Sequence, residues 1–199
     1  MNNLVVFSSG GGSNFRAIFS STLNNTIEDS KIDLLVSNNP DCNAIKFAKD
    51  RGIDTFIINS KRYPSKKKYN TALKNKLIDY NPSLIVLARY MKLIPKEIVN
   101  IFKSKIINIH PAKLPEFGGK GFYGMNIHKA VIDSGANSTA VTIHYVNEEY
   151  DKGMIISEKI INVMNNDTPE LLSKRVLKHE HELYSKTINQ LLKENGRNE

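Results

Sequence analysis

The chain has 199 residues, of which 40% are hydrophobic and 24% are charged, and its formal net charge at pH 7 is +8. This length suits one well-buried core, so we expect one domain over residues 1–193 and a polar tail over 194–199. No apolar run approaches the roughly 20 residues of a membrane-spanning helix, and the N-terminal residues lack the pattern of a secretory signal. We therefore expect a cytoplasmic protein without a membrane partner. The single cysteine, Cys42, excludes an intramolecular disulfide and a multi-cysteine metal site.

The positive charge raises the question of a nucleic-acid partner, because lysine and arginine dominate binding to phosphate backbones. The only dense basic cluster is KRYPSKKKY, residues 61–69, and no recognition-helix or RNA-binding signature surrounds it. We predict no nucleic-acid partner. A positive field also concentrates anionic small molecules, and this second interpretation fits the dispersed charge better.

Five apolar, β-branched runs alternate with helical patterns over the first 110 residues. Such nearly continuous apolar strands are typical of a parallel sheet that is covered on both faces. The alternation predicts an α/β fold with a doubly wound, mostly parallel sheet flanked by helices. The predicted strands are 4–8, 33–37, 55–59, 84–88 and 106–110, and the predicted helices are Phe15–Leu23, Asn43–Arg51, Lys66–Tyr80 and Pro95–Phe102.

The pattern changes after residue 135. The runs STAVTIHYV and MIISEKIINV follow each other with only NEEYDKG between them, which predicts an antiparallel strand pair joined by a loop. Residues 168–193 repeat apolar side chains at helical spacing and predict one long amphipathic helix that closes the fold.

Three consecutive glycines lie in FSSGGGSNF, residues 7–15, where the first strand ends and a helix begins. Glycine costs roughly 0.5–1 kcal/mol relative to alanine inside folded structure, so the backbone here turns sharply or lets a ligand approach. A helix N-terminus at the end of a parallel strand favours anions, which indicates a phosphate cradle. A tight turn without a ligand is the alternative that the pattern leaves open.

A second polar group lies in IINIHP, residues 106–111. Asn108 and His110 are two apart on a strand, so their side chains share one face near the strand's end. An amide donor beside an imidazole suits stabilisation of a developing oxyanion together with proton transfer. The alternative is a pair of polar side chains that only bond to neighbouring backbone.

Asp151 lies beside Gly153 in the loop that joins the last two predicted strands. A carboxylate near the Asn108 and His110 pair would raise the histidine pKa and assist a proton relay. The alternative is a solvated turn aspartate. We expect His144, on the adjacent strand, to be a satisfied core residue, and we predict no metal site.

Taken together, SSGGGSNFRAI, LARYMKLIP, INIHPAKLPEFGGKGFYGMNIHKAV, TIHYVNEEYDKGMII and KHEHELY resemble the glycinamide ribonucleotide formyltransferase family, which belongs to the 10-formyltetrahydrofolate-dependent formyltransferases. The resemblance runs from the first strand to the final helix. It implies transfer of a formyl group from 10-formyltetrahydrofolate to the amine of glycinamide ribonucleotide in purine biosynthesis, without a metal. It also implies that Asn108, His110 and Asp151 assist direct attack by the amine, with His110 as proton donor.

The resemblance further implies which residues bind the two substrates. Glu180 matches the acid that bonds the substrate ribose, and Lys66 falls where the family usually has an arginine that contacts a ligand. The implied phosphate loop is Gly11, Gly12, Ser13 and Asn14; the implied folate-binding residues, besides Lys66 and Asn108, are Met91, Lys92, Leu93, Ile94 and Val146, with the 148–151 loop.

Two alternatives remain at this stage. Arg89 and Tyr90 stand where this branch more often has Gly-Phe, and Ala-Arg-Tyr-Met is also typical of formyltetrahydrofolate deformylase, which uses water in place of the amine. That hydrolase normally has a further domain before the catalytic one, whereas the first predicted strand here begins at Leu4. A folate- or nucleotide-binding module without catalysis is the other alternative. The pattern leaves a homodimer open.

Overall fold

The computed structural model describes residues 1–196. Seven strands and six helices follow one another along these residues. The strands are β1 (Asn2–Phe7), β2 (Ser30–Ser37), β3 (Asp54–Ile57), β4 (Leu84–Leu87), β5 (Ile106–His110), β6 (Ser138–Tyr145) and β7 (Ile155–Asn162). The helices are α1 (Ser13–Leu23), α2 (Asn43–Asp50), α3 (Lys66–Tyr80), α4 (Lys96–Ile101), α5 (Met125–Asp133) and α6 (Pro169–Asn195).

The strands form one sheet in the order β3-β2-β1-β4-β5-β6-β7. Strands β1 to β5 pair in parallel, whereas β6 is antiparallel to both β5 and β7. The predicted fold class is therefore confirmed. The chain leaves β1 toward β2 on one side and returns to β4 on the other, so a topological switch point lies between β1 and β4, where ligands bind in such sheets.

The apolar strands alternate between two buried layers. Leu4 and Val6 of β1 pack with residues of α1, α2, α5 and α6, whereas Val5 and Phe7 pack with residues of α3 and α4. Both faces of the sheet are thus covered, which explains why the strands read as continuous apolar runs.

Helix α6 is anchored at its start and in its middle. The Thr168 side chain caps the helix by accepting a bond from the Leu171 N–H, and Pro169 occupies the first turn. Further along, the buried Tyr184 hydroxyl donates to the Leu87 carbonyl at 2.9 Å, with the Ile107 carbonyl as a second acceptor at 3.2 Å. The helix therefore holds the last residue of β4 and the second residue of β5.

Several sequence-based element bounds differ from the structure, most of them by one to three residues. Strands β1 and β2 begin at Asn2 and Ser30, earlier than predicted, because their first residues pair with each other despite being polar. Helix α5 was not predicted, since only Ile127, His128 and Val131 are buried along it and the apolar repeat is short. Helix α6 runs to Asn195, two residues into the segment 194–199 that the sequence assigns to a polar tail; residues 197–199 lie outside the described residues.

Within residues 1–196, no helix combines the length and the apolar character that crossing a membrane requires. In the same residues, no group of three or more histidine, cysteine, aspartate or glutamate side chains is arranged to hold a metal ion.

Candidate active site

A cavity of about 600 Å³ opens at the carboxyl ends of β4 and β5, next to the switch point. Asn108, His110 and Asp151 line it together, although the first two come from β5 and the third from the loop after β6. Arg89 and His144 also line it. Convergent polar side chains in a cavity of this size at this edge of an α/β sheet mark a candidate active site.

The glycine-rich loop lies beside this cavity, and its three glycines meet different demands. Gly12 has a φ of 73°, and a Cβ there would lie 2.9 Å from the Ala44 Cβ, so this position needs glycine for its backbone and for its close packing. A Cβ added at Gly10 or at Gly11 would meet no atom within 4 Å, so this part of the loop faces open space. No side chain caps α1 at Gly12. The loop is therefore a tight turn that also leaves room for a ligand.

Asn14 in the first turn of α1 connects the loop to α6. Its Nδ2 donates to Oε2 of Glu180 at 2.6 Å, and both side chains are buried. The Oδ1 atom of Asn14 is also buried and has no partner among the described residues. Because buried polar atoms are nearly always hydrogen bonded, this acceptor indicates a place for a donating ligand group.

Arg89 reaches Glu180 from the other side. Its Nη2 donates to Oε1 of Glu180 at 2.7 Å, and the Glu180 side chain has no exposed surface. The pair places a guanidinium in the wall of the cavity, next to the Asn14 side chain that bonds the same carboxylate. The sequence singled out Arg89 because Arg89 and Tyr90 stand where the family branch more often has Gly-Phe. The pairing of Arg89 with Glu180 was not predicted.

The structure brings Asn108, His110 and Asp151 close together, and this proximity is what the sequence analysis expected of their positions. Nδ1 of His110 lies 3.5 Å from Oδ1 of Asp151. The backbone of Asp151 has a φ of 54°, a left-handed conformation that aspartate tolerates better than most residues, and its Oδ2 accepts a bond from the Gly119 N–H at 3.0 Å. Gly153 makes this loop fit, because a Cβ there would lie 1.5 Å from the Tyr145 carbonyl oxygen.

His144 belongs to the same group of side chains, which the sequence reasoning missed. It is buried, as expected of a core residue, but its Nε2 lies 3.2 Å from Nδ2 of Asn108 and 3.5 Å from Oδ1 of Asp151. The antiparallel register of β5 and β6 sets His144 directly opposite Asn108. The register between β5 and β6 is therefore the feature that indicates His144 as a neighbour of Asn108.

The surroundings of His110 and Asp151 set their charges. Burial alone would raise the pKa of Asp151, but His144, His110 and the Gly119 N–H together hold it below its ordinary value. Burial lowers the pKa of His110, against the opposing effects of the Asp151 carboxylate and the Phe117 carbonyl. Since a carbonyl only accepts, Nε2 of His110 carries the proton in its 2.7 Å bond to Phe117. Nδ1 then faces a carboxylate that stabilises a second proton.

His128, on the unpredicted helix α5, is a further histidine in the wall of the cavity. It is 1% exposed, and burial lowers its pKa to about 4, so it stays neutral near pH 7. Its Nδ1 has no partner among residues 1–196. No pattern in the sequence singled it out, because a lone histidine on a short helix carries no spacing signal.

The residues predicted to bind the folate fall into two groups. Met91, Lys92, Leu93, Ile94 and Val146 all line the cavity, and so do residues 149–151. Lys66, at the start of α3, is exposed and is not part of the cavity wall. The structure therefore brings the 91–94 segment to Asn108 and His110 but leaves Lys66 outside.

The sequence profile of the formyl transferase family matches residues 2–188. Phosphoribosylglycinamide formyltransferase, chloroplastic, of Arabidopsis thaliana is 45% identical over 192 residues, which are 96% of this chain and 65% of that protein. Phosphoribosylglycinamide formyltransferase of Bacillus subtilis is 37% identical over 199 residues and is covered to 99%. The chain thus spans less than two thirds of the plant protein but nearly all of the bacterial one.

Solved structures agree with these relatives. Glycinamide ribonucleotide transformylase 1 from Geobacillus kaustophilus superposes with a TM-score of 0.88 at 33% identity, covering 96% of this chain and 99% of that one. A formyltetrahydrofolate deformylase from Pseudomonas syringae superposes with a TM-score of 0.85 but is only 20% identical. The match covers 97% of this chain and 62% of the deformylase chain. The second likeness concerns the fold alone.

Proposed function

Because the chain belongs to the formyl transferase family, we propose that it transfers a formyl group from 10-formyltetrahydrofolate to the amine of glycinamide ribonucleotide in purine biosynthesis. The observation that carries this proposal is the convergence of Asn108, His110 and Asp151 in one cavity. The names of the Arabidopsis and Bacillus relatives support the choice of substrates.

The reaction forms a bond between the amine nitrogen and the formyl carbon and breaks the bond from that carbon to the folate nitrogen. The amine loses one proton and the departing nitrogen gains one. Asn108 stabilises the negative charge that develops on the formyl oxygen as an N–H donor, and His110 stabilises it through the positive charge of its protonated ring, because its Nε2–H already bonds the Phe117 carbonyl. Asp151 stabilises the proton that His110 takes up at Nδ1, and His110 then donates a proton to the departing nitrogen.

The binding residues follow the same arrangement. The backbone of Gly11, Gly12, Ser13 and Asn14 binds the substrate phosphate at the N-terminus of α1, where free N–H groups and the helix dipole favour an anion. Glu180, which the resemblance matches to the acid that bonds the ribose, has no exposed surface and holds Asn14 and Arg89, so it acts on the ribose through these neighbours. The backbone of Met91, Lys92, Leu93 and Ile94, with Val146, Asn108 and the 148–151 loop, binds the folate; Lys66 contributes only if bound folate extends beyond the cavity.

An assay with purified protein tests this function. The protein is mixed with glycinamide ribonucleotide and 10-formyltetrahydrofolate, and formylated ribonucleotide, free tetrahydrofolate and formate are quantified together. We expect equal amounts of formylated product and tetrahydrofolate. Tetrahydrofolate with formate and no formylated product would indicate the hydrolase, and binding of both ligands without turnover would indicate a module that lacks catalysis.

We also propose that two copies of the chain associate through β7. This strand is at the edge of the sheet, and it exposes Ile155 and Ile160 with the neighbouring Met154. Unpaired edge strands with apolar side chains favour pairing with another chain. Light scattering after size-exclusion chromatography tests the proposal: we expect a dimer that Ile160→Glu converts to monomer, whereas a monomer at all concentrations would contradict it.

The proposed location is the cytoplasm. Its support is that the chain has one cysteine, Cys42, which is buried and forms no disulfide within the chain, whereas proteins of oxidising compartments often carry disulfides. Fractionation of the native cells followed by detection of the protein tests this location, and recovery in an organelle or membrane fraction would contradict it.

A further inference from the structure

Arg89 occupies an unusual backbone position at the switch point of the sheet. It follows β4 closely and has a φ of 59°, which non-glycine residues rarely adopt. Its carbonyl accepts a hydrogen bond from the Ser9 N–H at 3.4 Å. Two residues further on, the Met91 N–H donates to the Ser9 Oγ at 2.9 Å. The backbone of this turn is therefore attached to the start of the glycine-rich loop.

The Arg89 guanidinium uses only one of its edges within the protein. Nη2 donates to Oε1 of Glu180 at 2.7 Å, and Nε lies 3.4 Å from Oε2. Among residues 1–196, the structure gives no hydrogen bond from Nη1. The side chain is 41% exposed and lines the cavity, whereas Glu180 is fully buried. Glu180 thus fixes the orientation of the guanidinium and leaves its second edge free.

The guanidinium lies next to the N-terminus of α1, the proposed phosphate site. Oε2 of Glu180 is shared by Nε of Arg89 and Nδ2 of Asn14, so the guanidinium is a close neighbour of the first turn of α1. The buried, unpartnered Oδ1 of Asn14 lies in the same place and calls for a hydroxyl or amide donor. The loop at Gly10 and Gly11 leaves open space on its own side, and a guanidinium carries a permanent positive charge with N–H donors.

We propose that Arg89 is a further substrate-binding residue, whose free guanidinium edge pairs with the phosphate of the ribonucleotide, and that Glu180 positions it. This inference rests on the proposed function, because it places the substrate phosphate at the N-terminus of α1. A guanidinium edge matches two phosphate oxygens, and such charge-assisted bonds are the strong ones. The arginine supplies to the phosphate site a side-chain charge that the glycine-rich loop, with its backbone donors, does not have.

Binding of ribose 5-phosphate, measured by calorimetry, tests the role of Arg89 without requiring catalysis. We expect Arg89→Met to weaken binding about tenfold or more and Arg89→Lys to recover part of the loss, because lysine keeps the charge but not the fork. The matched control is Arg51→Met, since Arg51 stacks on Phe47 and is not part of the cavity wall. The proposal would be overturned if Arg89→Met bound ribose 5-phosphate as tightly as the unchanged chain. It would also be overturned if the unchanged chain did not bind this ligand at millimolar concentration.

A double-mutant cycle tests the positioning role of Glu180. Glu180→Gln is expected to weaken inorganic phosphate binding severalfold in the unchanged chain, because the guanidinium loses its orientation, and to have no further effect in the Arg89→Met background. The double variant removes both charges of the pair and so avoids the lone buried carboxylate that Arg89→Met alone leaves. Equal effects of Glu180→Gln in both backgrounds would contradict positioning through Arg89.

Kinetics separate this inference from the proposed function. Arg89→Met should raise KM for glycinamide ribonucleotide about tenfold while kcat and KM for 10-formyltetrahydrofolate stay within a factor of about three. Formyl transfer with an unchanged ribonucleotide KM would sink the role of Arg89 and leave the function intact. If the unchanged chain transferred no formyl group but Arg89→Met still lost ribose 5-phosphate binding, the role of Arg89 would stand and the proposed function would fail.

Discussion

Oδ1 of Asp151 lies 3.5 Å from Nδ1 of His110, although the two residues are 41 positions apart and come from different elements. The contact depends on two features of the 146–153 loop: the left-handed backbone of Asp151 and the absence of a side chain at Gly153. Their pairing gives the buried imidazole a place to hold a second proton. The first prediction follows from it.

Asp151→Asn is expected to lower the pKa of His110. Burial lowers the pKa of His110 and is the larger effect, whereas the Asp151 carboxylate raises it. Removing the carboxylate charge therefore leaves the effect of burial less opposed. The titration of His110 by NMR should therefore shift to lower pH than in the unchanged chain. His181 on α6, whose pKa is lowered by burial and affected by Glu180 and Arg89 rather than by Asp151, should keep its titration and serves as the internal control. A His110 titration that stays in place or moves to higher pH would contradict the pairing.

The loop glycines should separate folding from binding. Gly11→Ala is expected to leave the free energy of unfolding within about 0.5 kcal/mol, because its Cβ meets open space, and to weaken ribose 5-phosphate binding. Gly12→Ala should cost about 1–3 kcal/mol, since its φ of 73° and the Ala44 contact at 2.9 Å both oppose a side chain. Denaturant unfolding and calorimetry measure the two effects. Equal destabilisation by the two substitutions would argue against the open loop.

Gly153→Ala should displace the loop that carries Asp151. A Cβ would lie 1.5 Å from the Tyr145 carbonyl oxygen, so the backbone has to move. We expect kcat to fall about 100-fold and the melting temperature to drop. The control is Gly135→Ala, where φ is 69° and no atom lies within 4 Å of the Cβ, so it should cost about 1 kcal/mol and spare kcat. If both variants behaved alike, the close packing at Gly153 would have no bearing on the site.

Much of the fold was predictable because the signals are local. Apolar runs such as 84–88 and 106–110 fall within one or two residues of β4 and β5, and the doubly wound class followed from their alternation with helices. Helix α5 was missed because its buried face has only three residues, one of them a histidine. Its preceding glycine-rich segment also gives no periodic pattern.

The site was predictable where spacing along one strand decides it, and not where tertiary contacts do. Asn108 and His110 share a face because they are two apart on β5, and the sequence resemblance added Asp151, Glu180 and the phosphate loop. The family membership implied by that resemblance is confirmed by the match over residues 2–188. His144, His128 and the pairing of Arg89 with Glu180 depend on strand register and on helix packing, which spacing in the sequence does not reveal. The roles of all these residues stay predictions.

The most direct test compares kcat with substrate binding in His110→Ala and Asp151→Asn. Each should lower kcat by on the order of 10²–10³, as the loss of a catalytic donor or of its charge partner does, with ribose 5-phosphate binding within a factor of about three of the unchanged chain. His179→Ala, at a histidine outside the cavity wall, should keep both values. Parallel losses of turnover and binding in the two variants would contradict a catalytic role for His110 and Asp151 and indicate a structural one instead.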